Sequence, residues 1–159
     1  AVAAPAPSIA KRKLSYKEQR ELEQLPARIT ALEAEQKTIQ AELVVPYEGL
    51  FVEDGGVPAW VGIEYMAQAI AAWAGCRARR AGREPNIGFL LGSRRYTSTR
   101  DVFPSGTRLR IDARCELLAD NGLGMFACSL QAGDEQWAVA NVSVFEPTDA
   151  MAYLESGEA

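Results

Sequence analysis

The chain has 159 residues, 48% of them hydrophobic, and carries 17 Lys+Arg against 21 Asp+Glu for a net charge of −4. One full domain with an appendage fits that length, and the acidic balance makes nucleic acid an unlikely partner. There is no histidine, so acid–base chemistry near neutral pH lacks its usual base. Cys76, Cys115 and Cys128 form no C-x-x-C pair and no zinc set. No metal and no cofactor is therefore expected, and the free thiols point to a reducing, cytoplasmic setting. No apolar run is long and uniform enough to predict a membrane span.

Residues 1–14, rich in Ala and Pro and without an apolar signal core, read as a linker rather than a signal peptide. Order is expected from Ser15, where Ser15-Tyr16-Lys17-Glu18 matches a capping box. Leu22, Leu25, Ile29, Leu32, Ile39 and Leu43 then step by threes and fours, with Gln36 at one polar seam position, so 15–43 reads as a coiled-coil-like helical segment. Pro26 is expected to break or kink it, most simply at the first turn of a second helix. Up to position 43 there are seven Lys+Arg and six Asp+Glu; beyond it there are ten Arg, no Lys and fifteen acids. The stretch KRKLSYKEQRELEQLPARITALEAEQKTIQAEL, residues 11–43, resembles the start of the C-terminal coiled coil of the ABC-F ATPase Uup. That resemblance implies one helix of a hairpin associated with DNA or the ribosome. Lys11, Arg12, Lys13, Lys17 and Arg20 would be the contacts, against the plainer reading of a solvated helix entrance. No phosphate-binding G-x-x-x-x-G-K-[ST] motif accompanies it.

From 44 to 159 the pattern is mixed α and β. Residues 57–75 form an almost wholly apolar helix carrying one carboxylate, Glu64. Such a helix is expected to be buried, and burial favours a protonated or hydrogen-bonded glutamate. Arg77 to Arg83 form a polar exit. Four strands are predicted at 87–98, 107–118, 123–132 and 137–145, separated by turn signals at Pro104-Ser105-Gly106, Asp120-Asn121-Gly122 and Gly133-Asp134. Leu109-x-Ile111-x-Ala113-x-Cys115 gives a clear period of two. An antiparallel meander preceded by one apolar helix is satisfied as an α+β sheet wrapped around that helix.

Three stretches, Pro58 to Gln68 (PAWVGIEYMAQ), Gly88 to Tyr96 (GFLLGSRRY) and Asp120 to Gly124 (DNGLG), resemble bacterial 3-hydroxyacyl-ACP dehydratases, with ApeP-like dehydratases of aryl polyene biosynthesis as the nearest branch. The resemblance covers about Leu50 to Tyr153 and implies a hotdog fold, truncated at its N-terminal strands. It aligns Glu64 with the helix carboxylate that acts with a histidine in eliminating water from a 3-hydroxyacyl thioester. Gln68, one turn on, shares the face of Glu64 and is a candidate to orient it. The N–H groups of Ala59, Trp60 and Val61 at the helix start are candidates to polarise the thioester carbonyl. Arg77, Arg79, Arg80, Arg83, Arg94 and Arg95 are candidates to receive acidic acyl carrier protein, or else complement the helix dipole.

The resemblance also places a histidine in the segment before the helix, and here that residue type is missing. The join is expected near Leu43 to Pro46. Glu53 and Asp54 are the carboxylates nearest in sequence, and their plainer reading is loop polarity. The implied function is an acyl-thioester-binding dehydratase-like domain, taking acyl-ACP or acyl-CoA, with impaired catalysis and a homodimeric or heterodimeric hotdog assembly. Two alternatives stay open: a non-catalytic interaction subunit, and an acyl thioesterase.

Overall fold

The computed structural model describes residues 16–156, apart from the side chains of residue 18 and of residues 29–36. Contacts divide the chain into two units, Ala1–Ala34 and Glu35–Ala159. Helix α1, Tyr16–Gln36, is continuous with Pro26 inside it, so the predicted break does not occur. The proline removes a hydrogen bond, at a cost of about 3 kcal/mol, without ending the helix. Leu22 and Leu25 of the predicted seam are exposed; the side chains of Ile29 and Leu32, the capping box at Ser15 and the 1–14 linker lie outside the described residues.

The predicted helix does not reach Leu43. Thr38–Val44 is a strand, β1, which pairs antiparallel with Arg108–Arg114. A step of four, Ile39 to Leu43, fits a helix turn and two strand repeats equally well. Ala41, between them, decides for the strand, since Ile39, Ala41 and Leu43 all turn toward the core. The junction between helical and sheet character therefore lies at Lys37, not at Leu43 to Pro46.

The other elements are β2 (Gly56–Pro58), a 3-10 turn (Ala59–Val61), α2 (Gly62–Arg80), β3 (Phe89–Ser98), β4 (Val102–Pro104), β5 (Arg108–Leu118), β6 (Leu123–Ala132), β7 (Glu135–Phe145) and α3 (Ala150–Ser156). Five strands form one antiparallel sheet in the order β1-β5-β6-β7-β3, and β2 pairs with β4 apart from it. The four predicted strands correspond closely to β3, β5, β6 and β7. The segment 56–61, expected inside or just before the helix, forms the short strand and tight turn that lead into α2. Helix α3 carries no apolar repeat long enough to announce it. It is capped by Asp149, whose Oδ1 accepts from the N–H groups of Met151 at 3.1 Å and Ala152 at 3.0 Å. Tyr153 anchors α3 against Phe89 and Phe145.

One face of the sheet meets α2. Met66, Ala69, Ile70 and Trp73 of the helix are buried against Leu109, Ile111, Phe126 and Leu130, and the Trp73 and Phe126 rings meet edge to face at 5.2 Å. Each large side chain so covered contributes about 1.5–3 kcal/mol. Small residues at Ala113, Ala138 and Ala140 complete the buried face and leave room for the helix. The helix start sits closest: a methyl group at Gly62 would lie 2.5 Å from Tyr96 Oη, 2.7 Å from Leu130 Cδ1 and 3.0 Å from Phe103 Cε2. Gly62→Ala is therefore expected to destabilise the domain by about 1–3 kcal/mol through overpacking. Urea unfolding of the two proteins checks this, and an unchanged midpoint would show that the helix start can shift freely.

Candidate active site

Helix α2 has two faces, and Glu64 is on the open one. The sequence predicts burial, but Glu64 and Gln68 are both exposed. The reason is geometric: one sheet covers one side of a helix. The exposed apolar residues on the other side are Ala71 and Ala72, small enough to read as core without being covered, with Gly75 half-buried beyond them. Gln68 Nε2 donates to Glu64 Oε1 at 2.8 Å, the i, i+4 contact that the sequence spacing allows. One turn before Glu64 stands Trp60, which is 60% exposed and meets Phe51 edge to face at 5.6 Å. Trp60, Glu64, Gln68 and Ala72 thus follow one another at intervals of four along a stripe that this chain leaves uncovered.

The turn ahead of Glu64 is held from two sides. The N–H of Ala59 donates to the Asp101 carbonyl at 2.8 Å, and the Tyr96 hydroxyl donates to the Ala59 carbonyl. Ala59 therefore does not offer a free N–H to a ligand, contrary to the sequence reading, and its part is to fix the turn. Trp60 and Val61 follow it in that turn; the Val61 side chain is buried while Trp60 faces solvent. Sequence reasoning missed Tyr96 and Asp101 because both act on backbone atoms some forty residues away, for which no side-chain spacing gives a signal.

Glu53 and Asp54 do not approach Glu64 through any contact among the described residues. Glu53 is tied to Gly56 by backbone hydrogen bonds of 2.8 and 3.0 Å, and Asp54 occupies the turn between them at φ 45°. Both are exposed.

The six arginines do not form one patch. Arg77, Arg79 and Arg80 lie in the last turn of α2, where cations complement the helix dipole. Arg77 stacks over Trp73 at 5.5 Å, and with Arg83 it lines an open groove of about 330 Å³ that also contains Asp120 and Glu146. Arg94 and Arg95 lie on β3 beside Tyr96, at the other end of the helix. From Gly62 to Arg77 is about 22 Å at 1.5 Å per residue.

Among the thiols, Cys115 and Cys128 are buried and Cys76 is exposed. Burial pushes Cys128 up to about 12, helped by the Glu116 charge, and raises Cys115 despite Arg77 and Lys37. Among the described residues no group of potential metal ligands occurs, and no helix is long and apolar enough to cross a membrane.

The model of the ApeP-like family, described as ApeP dehydratase, matches residues 29–155. The chain belongs to the ApeP-like dehydratase family. Its fold is that of the hotdog proteins, to which several solved structures are similar. The dehydratase heterocomplex ApeI:P from Xenorhabdus doucetiae is 24% identical, covering 77% of this chain and 82% of that one, with a TM-score of 0.69. A mutant of the fluoroacetyl-CoA-specific thioesterase FlK is 15% identical over 76% of this chain and 93% of that one, with a TM-score of 0.55. A Streptococcus mutans protein bound to acetyl CoA is 13% identical over 69% and 81%, with a TM-score of 0.52. No curated protein matches.

In this ApeP-like chain the Tyr96 phenol is raised to about 12 by burial, against a smaller lowering from its hydrogen bond with Ser98. A raised phenol pKa stabilises the fold fully below the ordinary value of 10.0 and loses that stabilisation as pH rises through about 12. Cys128 acts in the same direction from its ordinary 9.0. Stability is therefore expected to fall from about pH 9 upward. Tyr96→Phe should cost about 1 kcal/mol at neutral pH and make the fall above about pH 10 shallower, leaving the contributions of Cys128, Cys115 and Tyr65, whose pKa values burial also raises. Urea unfolding across that pH range checks both effects, and an identical alkaline fall in the variant would contradict the assignment.

Proposed function

We propose that this chain is an acyl-thioester-binding, 3-hydroxyacyl-ACP dehydratase-like subunit that contributes the acid of the reaction but not the base. The observation that carries the reading is the Glu64–Gln68 pair, hydrogen-bonded and uncovered on α2, in a family of dehydratases and in a chain without histidine. In the elimination, a base takes the proton from C2 of the 3-hydroxyacyl group, the C2–C3 double bond forms, and the C3 hydroxyl leaves with a proton as water. Glu64 donates that proton, and Gln68 holds the carboxyl in place by its amide. The N–H groups of Trp60 and Val61 stabilise charge developing on the thioester oxygen, since the first turn of a helix leaves N–H groups without internal acceptors. Ala59, engaged by Asp101 and Tyr96, keeps that turn in position.

The C2 base comes from a second hotdog subunit bearing histidine, which would cover the open face of α2 and withdraw Glu64 from water. The structural similarity to a dehydratase heterocomplex supports such an arrangement. An acidic carrier protein would be received by Arg77, Arg79, Arg80 and Arg83; the three cations in the last turn of α2 support this reading. The free thiols agree with a reducing, cytoplasmic setting. The product belongs to fatty acid or aryl polyene type biosynthesis.

The test supplies 3-hydroxyacyl-ACP to the chain alone and to the chain mixed with a histidine-bearing hotdog dehydratase subunit. Little enoyl product is expected from the chain alone. In the mixture turnover should appear and fall about 10²- to 10⁴-fold on Glu64→Gln, the usual contribution of a general acid. Fast turnover by the chain alone would overturn the reading, and Glu64-dependent hydrolysis of acyl-CoA would replace it with a thioesterase.

A further inference from the structure

The groove of about 330 Å³ at the C-terminal end of α2 is within the size range of small-molecule sites. Two segments line it, and they carry opposite charge: the helix end with Arg77 and Arg83, and the sheet end with Asp120 and Glu146. Both are fixed by their own backbones. Gly82, at φ 69°, closes the helix: its N–H donates to the Arg79 carbonyl at 3.0 Å, and the Arg83 N–H donates to the Ala78 carbonyl at 2.9 Å. This is a Schellman turn, which satisfies the last helix carbonyls and sets the Arg83 backbone beside Ala78. Arg77 lies over the Trp73 ring at 5.5 Å. On the sheet side Asp120 stands in the β5–β6 turn, closed by the Ala119 N–H to the Leu123 carbonyl at 2.8 Å and the Gly122 N–H to the Ala119 carbonyl at 3.1 Å. The Glu146 N–H donates to the Gly122 carbonyl at 2.9 Å. A methyl group at Gly122 would strike the Glu146 carbonyl oxygen, so glycine lets these two segments meet.

Opposite charges on facing segments would gain by pairing directly, yet these do not. Among the described residues the ion pairs join Arg100, Arg108, Arg110 and Arg114 to Glu135, Glu42, Asp112 and Glu116. None joins Arg77 or Arg83 to Asp120 or Glu146. The fixed segments thus hold the two signs apart across the groove.

A ligand of one sign is attracted by one segment and repelled by the other. A small anion suits the arginines but is opposed by Asp120 and Glu146, and a polyamine meets the reverse. A molecule carrying both signs satisfies both sides. We propose that the groove is a binding site for a small zwitterion, an amino acid or short peptide. Its carboxylate pairs with Arg77 and Arg83, whose forked donors match a carboxylate, and its ammonium pairs with Asp120 and Glu146. Ala74 and Leu118 provide apolar lining for the part between. From Glu64 to Arg77 is about 20 Å along α2 at 1.5 Å per residue. The site is therefore separate from the Glu64–Gln68 pair and does not depend on the acyl-thioester reading.

The test follows the amide NMR shifts of the full chain during titration with L-alanine and with L-alanyl-L-alanine at low salt. At least one of the two should bind saturably with a Kd of roughly 1–10 mM, shifting the amides of Arg83, Gly122 and Thr148. Which one binds more tightly tells whether the groove takes a free amino acid or a peptide. N-acetylalanine keeps only the carboxylate and alaninamide only the ammonium. Each should bind at least about fivefold more weakly than the better zwitterion, because each loses one pairing and keeps one repulsion. Arg83→Gln and Asp120→Asn should each weaken that zwitterion about threefold. Absence of a saturable shift with either zwitterion up to about 50 mM would overturn the proposal. Equal binding of N-acetylalanine or of alaninamide would also overturn it, since the groove would then select one sign only, as would unchanged affinity in both variants. The comparison with the blocked ligands uses the natural chain, so it decides the matter whether or not a substitution disturbs folding.

Discussion

The closeness of α2 to the sheet governs the rest of the domain. Gly62 lets the helix start rest on Tyr96, Leu130 and Phe103, and the alanines at 113, 138 and 140 keep the floor low beneath it. With bulkier residues there the helix would ride higher, and Met66, Ile70 and Trp73 would lose contact with the strands. The same approach brings the Tyr96 hydroxyl to the Ala59 carbonyl. The packing that stabilises the core thus also sets the angle at which the turn of residues 59–61 enters the helix, and with it the direction of Glu64.

A helix seated on one sheet keeps an uncovered side. In this chain that side has a polar beginning, Glu64 and Gln68, and then the small exposed Ala71 and Ala72. Small side chains leave little to bind water and much room for close approach. The fold of this chain alone leaves Glu64 open to water, with Gln68 as its hydrogen-bond partner. A carboxylate open to water and one enclosed by a partner differ greatly in the cost of carrying charge.

The sequence made the sheet legible where one face was polar and the other apolar. Leu109, Ile111, Ala113 and Cys115 alternate cleanly, and β5, β6 and β7 were accordingly readable to within a few residues. Strand β1 was not, because Ile39 and Leu43 satisfy both periods and the preceding helix extends the wrong one. Glu64 and its bond to Gln68 were legible from i, i+4 spacing, whereas its exposure was not: alanine reads as core material whether covered or bare. The six arginines look like one patch in sequence because Arg94 follows Arg83 closely. In space the chain reverses at residues 81–88 and β3 carries Arg94 and Arg95 back toward the helix start. Tyr96 and Asp101 left no trace because their partners are backbone atoms.

The three thiols have very different surroundings. Cys115 and Cys128 are enclosed in the core with their thiols held protonated, so neither is a ready nucleophile. Cys76 is in the open, one helical turn beyond Ala72 on the bare side of α2. Any body that settles over that side must pass close to this sulfur. The molecule thus has a natural gauge of its own assembly, since the speed with which a thiol reagent modifies one native side chain registers whether the helix is bare or roofed.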